Sequence, residues 1–173
     1  MKIKIFLILS LVAAFYVSSF AQKAVSVYTS LDTKNCKTLE SDESGAGSYK
    51  GECKGTGGYK LHVLEGDIRQ TINVIAPGNK EFELNFWNFY SSFSAVGEKA
   101  EWRVKGKNPI ALIVRFNVSN PEYPDKSTSY LMVCKITKNE VCVTDVVKPS
   151  KTQNAEAQKL ADMASTKPCK AVE

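Results

Sequence analysis

Apolar and polar positions alternate along much of this chain, and the alternation outlines its elements. Val25 to Leu31 interleaves β-branched and aromatic side chains with hydroxyl residues and reads as a first strand. Tyr59 to Ile75 is the clearest hairpin: Tyr59, Leu61 and Val63 alternate with Lys60 and His62, then Ile68, Ile72 and Val74 with Arg69, Thr71 and Asn73. A Gly66-Asp67 turn pairs Val63 with Gln70 and Leu61 with Ile72, which puts the apolar residues on one face. The opposite face then carries Lys60, His62, Arg69, Thr71 and Asn73, and is expected to be exposed and positive.

The pattern continues less cleanly. Between those elements, Asp32 to Gly58 is polar, glycine-rich and without a period, and it is expected to be irregular. Phe82 to Phe93 fits both a strand and a helical stripe; a short helix or an irregular aromatic segment is the preferred reading. Glu101 to Val104 is a strand with Trp102 on one side and Glu101 and Arg103 on the other. Pro109 to Val118 is largely apolar and reads as a central strand. Thr128 to Ile136 and Val141 to Val147 form a second hairpin about Lys138-Asn139, apolar on both faces. Ser150 to Thr166 is a helix, with capping-box spacing from Ser150 to Gln153 and an apolar stripe of Ala157, Leu160, Ala161 and Ala164.

The start of the chain changes the setting. Lys2 and Lys4 precede an apolar run from Ile5 to Phe20, and Ser19 and Ala21 place small side chains before Gln22. This is the layout of a cleavable signal peptide over residues 1–21, leaving 22–173 as one exported domain with no membrane span. The formal charge of +5 falls to +3 once Lys2 and Lys4 are gone. So mild an excess, spread along the chain, gives no case for nucleic-acid binding.

All five cysteines follow the signal, and in an oxidising compartment disulfides are the default. Cys36–Cys53 would close the irregular stretch, worth ~3 kcal/mol in the chain-entropy model. The second pair follows from lengths. A strand running out from Cys142 and a helix running back each span ~23 Å, which returns Cys169 beside Cys142. Cys134 and Cys142 share parity in their hairpin and so point to opposite faces, leaving Cys134 as a buried free thiol. There is no CxxC motif and only one histidine, so no metal site and no cofactor are expected.

The segments YTSLD (Tyr28 to Asp32), LESDESGAG (Leu39 to Gly47), GYKLHVLEGDIR (Gly58 to Arg69) and EWR (Glu101 to Arg103), with Cys36, Cys53, Cys142 and Cys169, together resemble a family of small exported bacterial proteins without an assigned function. The resemblance implies a bacterial, periplasmic setting and carries over no catalytic residue. Phe86 to Phe93 and Cys134 are not part of that pattern. The piece YKGECKGTGGYKLHV (Tyr49 to Val63) is similar to the cysteine-plus-strand signature of bacterial lysozyme inhibitors.

Candidate chemistry is sparse. Any Ser-His-Asp or Cys-His arrangement must use His62, and no nucleophile sits in a recognisable elbow. Glu40, Asp42 and Glu43 cluster beside Gly45 and Gly47, but their spacing does not match an EF-hand loop. The aromatic segment is a partner-binding patch or sugar-stacking platform if exposed, and core if not. The expected fold is α+β: a mainly antiparallel β-sheet with a C-terminal helix packed on one side, stapled by disulfides. The expected function is non-enzymatic binding of an envelope protein or cell-wall polymer, inhibition included. The alternative is a secreted hydrolase using His62 or the Glu40/Asp42/Glu43 carboxylates. The sequence leaves the oligomeric state open.

Overall fold

The computed structural model describes residues 22–171 apart from positions 46 and 124. The signal peptide expected over residues 1–21 lies outside the described residues. Strands dominate: β1 (Val25–Ser30), β2 (Lys37–Asp42), β3 (Ser48–Lys54), β4 (Lys60–Gly66), β5 (Arg69–Ile75), β6 (Glu81–Glu83), β7 (Ser94–Lys105), β8 (Asn108–Ser119), β9 (Ser127–Ile136) and β10 (Val141–Val147), followed by one helix, α1 (Gln153–Asp162). The α+β class with a disulfide-stapled sheet holds. No helix among the described residues is long and apolar enough to cross a membrane.

All ten strands belong to one sheet, in the order β10-β9-β8-β7-β5-β4-β3-β2, with β1 also beside β7 and β6 beside β5. The pairs are antiparallel except for the junction of β5 and β7, a single parallel bridge from Arg69 to Ser94. That narrow junction divides the sheet into a half built from β2–β6 and a half built from β1 and β7–β10. Leu61, Val63, Ile72 and Val74 from the first half and Trp102, Leu112, Val114, Phe116 and Met132 from the second share one apolar core. The sheet therefore wraps around that cluster. A second cluster forms on the far side of β8 and β9. There Ala111, Ile113, Leu131, Val133 and Val147 meet Ala157 and Ala161 of α1, and Ala164 just after it. Small side chains on α1 let it lie close to the sheet.

Two disulfides form, Cys36–Cys53 and Cys142–Cys169, the pairs expected from the sequence. Cys134 is free and buried. The second hairpin also has its expected register, with Ile136 opposite Val141 and Val143 opposite Cys134.

Four expectations are corrected. The stretch expected to be irregular holds the β2–β3 hairpin. Every residue of β2 is exposed, so it is an edge strand without the one-sided burial that makes a period visible. The first hairpin turns at Asp67-Ile68, not Gly66-Asp67: Leu61 opposes Val74, Val63 opposes Ile72 and Gly66 opposes Arg69. In this register the two core-facing residues of β4, Leu61 and Val63, meet apolar partners, whereas the expected one opposes Val63 to Gln70. The turn has φ of 53° at Asp67 and 56° at Ile68, the left-handed pair of a type I′ turn. For a β-branched residue that conformation costs roughly 1–2 kcal/mol, and the gain in cross-strand packing offsets it. The Glu101–Val104 strand extends to the twelve residues of β7. Finally, the helix is shorter than expected and its capping box does not form. Thr152 is the N-cap without a side-chain bond, and Gln153 turns inward to donate to the carbonyls of Ser129 and Val147.

The aromatic segment is neither a regular helix nor a regular strand. After β6 it makes one 3-10 turn over Phe86–Asn88. Leu84 and Phe86 enter the core, Phe89 and Tyr90 pack against it, and Phe93 stays outside.

Candidate functional site

Strand alternation does put Lys60, His62, Arg69, Thr71 and Asn73 on the non-core face of β4 and β5. They do not form an open positive surface, because His62, Thr71 and Asn73 are buried. The chain after β6 runs down along β5, where the Phe86 N–H donates to Thr71 Oγ1 at 2.9 Å. Asn73 Nδ2 donates to Glu81 Oε1 at 2.8 Å. His62 sits between two carboxylates, with Nδ1 3.2 Å from Glu81 Oε1 and Nε2 3.6 Å from Glu52 Oε2. An ionised carboxylate only accepts, so Nδ1 carries the proton.

Both cations of the set are also paired. Lys60 donates to Glu52 at 3.0 Å, and Arg69 to Asp67 of its own turn at 2.8 Å. The positive field expected from the sequence is thus largely cancelled locally. These contacts act on the acids too. The Lys60 hydrogen bond holds the Glu52 carboxyl below the usual carboxylate range, and the Asn73 hydrogen bond does the same for Glu81. Glu52 and Glu81 were missed in the sequence because they come from β3 and β6, and only strand register brings them to His62.

The acidic group is spread out. Glu40 and Asp42 lie on the exposed edge strand β2 and Glu43 follows it. Asp42 Oδ1 accepts the Ser44 N–H at 2.8 Å in a turn, and the Ser44 hydroxyl first, with this N–H second, lowers the Asp42 pKa. Among the described residues, the group of potential ligands compact enough for a cation is Glu140, Cys142 and Cys169. Its cysteines are joined in a disulfide, which leaves no thiolate to ligate. Burial raises the pKa of the Cys134 thiol, which keeps it protonated and unreactive.

The YTSLD and EWR segments meet in register, with Val27 opposite Trp102 and Tyr28 opposite Glu101. Trp102 Nε1 donates to Thr29 Oγ1 at 2.8 Å. Arg103 makes a forked pair with Asp162 of α1 at 2.7 and 2.9 Å and donates to the Ala24 carbonyl at 3.1 Å. These residues lock β1, β7 and α1 together, a structural task that accounts for them without chemistry.

No family model matches this chain, and comparisons with curated proteins and with solved structures return no match. The surface itself is then the guide. Three large apolar side chains about half exposed belong to one end of the sheet: Ile68 (53%), Phe93 (51%) and Tyr123 (53%). Backbone bonds tie their segments together. The Ser94 N–H donates to the Ile68 carbonyl at 3.2 Å, and the Ser119 N–H to the Phe93 carbonyl at 2.9 Å. Asn120 Oδ1 accepts the N–H groups of Glu122 and Tyr123 at 2.8 and 3.1 Å. The sequence offered two faint signals for this end. Ser91-Ser92-Phe93-Ser94 strands an aromatic among hydroxyls, and Asn120-Pro121 announces a turn.

Proposed function

We propose that this chain is a non-enzymatic binding protein of the bacterial periplasm, and that it docks another macromolecule through the end carrying Ile68, Phe93 and Tyr123. Inhibition of an envelope enzyme is one form such docking takes. The observation that carries this reading is that three half-exposed apolar side chains sit on segments joined by hydrogen bonds at one end of the sheet. Single exposed apolar residues are ordinary, whereas grouped ones mark interaction surfaces. A surface held rigid loses little entropy on binding. The sole histidine gives the hydrolase alternative little support, because both ring nitrogens already face carboxylates.

The test is affinity capture from an envelope extract with three baits: the wild type, Ile68→Asn/Phe93→Ala/Tyr123→Ala, and Lys60→Glu/Arg69→Glu. Species held by the wild type and the Lys60/Arg69 variant but lost from the triple variant are expected. Equal retention by the triple variant would overturn the assignment of this end.

A further inference from the structure

The proposed docking end contains a cavity of about 260 Å³, lined by Ser91, Ser92, Phe93, Ser119, Asn120 and Pro121. None of these residues is charged. An ionic ligand would give up water there without gaining a counter-charge, so the lining selects against phosphates, carboxylates and ammonium groups. The lining exposes mostly apolar surface, and Phe93 and Pro121 are its residues with apolar rings. The other lining residues carry hydroxyls and an amide. Among the described residues, the hydroxyls of Ser91, Ser92 and Ser119 have no hydrogen-bond partner within the chain. The Asn120 carboxamide is fixed by the two N–H groups that its oxygen accepts, and its Nδ2 has no hydrogen-bond partner among the described residues.

An aromatic ring among neutral hydrogen-bonding groups matches a pyranose, whose ring presents a C–H face to the aromatic and hydroxyls at its edge. The volume lies just below the ~300–1,000 Å³ of pockets that enclose drug-sized ligands, which suits one ring of a longer chain. The site is also preformed. Phe93 is held at its carbonyl by Ser119, and the following residue, Ser94, is held by Ile68.

We infer that this cavity binds one neutral pyranose ring of a glycan, stacked on Phe93 and hydrogen-bonded by Ser91, Ser92, Ser119 and Asn120. The inference rests on the reading that this end is the docking surface, and it names the class of macromolecule docked there.

The test is a titration of ¹⁵N-labelled protein, disulfides intact, with cellotriose, maltotriose and triacetylchitotriose, followed by backbone amide shifts. At least one trisaccharide is expected to shift the amides of residues 91–94 and 119–123 in a saturable manner. Phe93→Ala should weaken that response at least tenfold, and Phe93→Trp, which keeps a stacking face, should retain it. No response at these amides to any of the three sugars overturns the inference, as does a response unchanged in Phe93→Ala. If the sugars fail while capture still depends on this end, the occupant is an apolar protein side chain, and the glycan assignment falls while the docking reading stands. If the sugars bind while capture is indifferent to the triple variant, the glycan site stands and the wider docking surface falls.

Discussion

The two halves of the sheet bury their apolar residues differently. In β3–β5 one face meets the shared core and the other carries a paired polar set: Glu52, Lys60, His62, Asn73 and, from β6, Glu81. In β8 and β9 both faces are covered, one by the shared core and the other by α1. The first half thus depends on one apolar interface and the Cys36–Cys53 bridge. The second has two apolar interfaces, the Arg103–Asp162 fork and the Cys142–Cys169 bridge. The difference separates what holds the molecule together from what each half adds for itself.

Trp102→Ala is expected to have the largest effect. Trp102 is fully buried in the core that both halves share, and large-to-small changes of this kind cost about 3–5 kcal/mol. Denaturant titration should show one transition displaced as a unit; two separated transitions would mean that the halves do not depend on this core. The bridges come next. Their separations of 17 and 27 residues correspond to ~3 and ~3.5 kcal/mol of lost loop entropy. Double Cys→Ser variants should therefore destabilise by nearly equal amounts. A much larger loss for Cys36/Cys53 would show that the one-sided half leans harder on its staple.

Ala161→Asp places a charge in the second cluster, where Ala161 is buried, and should cost about 3 kcal/mol. Leu160→Asp, on a partly buried side chain, should cost less, and equal melting temperatures for the two would contradict the orientation of α1. The smallest effect belongs to the polar set. Glu52 and Glu81 have pKa values lowered in the folded state. Their stabilisation is thus present at neutral pH and lost as pH falls through the carboxylate range. Glu81→Gln should flatten the acid side of a melting-temperature profile, and a parallel profile would remove the Asn73–Glu81 and His62–Glu81 contacts from the account.

Legibility followed the same division. Leu61, Val63, Ile72 and Val74 revealed their strands because they alternate with polar residues, whether or not those are exposed. β2 stayed hidden because Lys37, Leu39 and Ser41 are as exposed as Thr38, Glu40 and Asp42. The hairpin register slipped by two residues because Gly66 is the better turn former in isolation, while pairing across the sheet favoured Asp67-Ile68. The Cys142–Cys169 pairing survived an overlong helix. The 3-10 turn over Ala164–Thr166 and the following segment carry the chain back, and the Lys170 N–H bonds the Val143 carbonyl at 2.7 Å. His62 was misplaced as exposed because no local pattern reports a partner from β3 or β6. The end proposed for docking was hardest to see, since it is assembled from three connections between strands and has no period of its own.

The position of Cys134 bears on how the molecule is made. In the order of synthesis Cys36 and Cys53 come before the other three cysteines. The next two to emerge are Cys134 and Cys142, eight residues apart, and the rightful partner Cys169 arrives last. An oxidant acting at that moment finds a mismatched neighbour closer than the correct one. Pairing β9 with β10 resolves the conflict, because the register turns Cys134 into the core and sets Cys142 opposite Lys135 instead. The β9–β10 register is thus incompatible with a Cys134–Cys142 bond, and a chain that had formed one would have to exchange it before Cys142 could pair with Cys169.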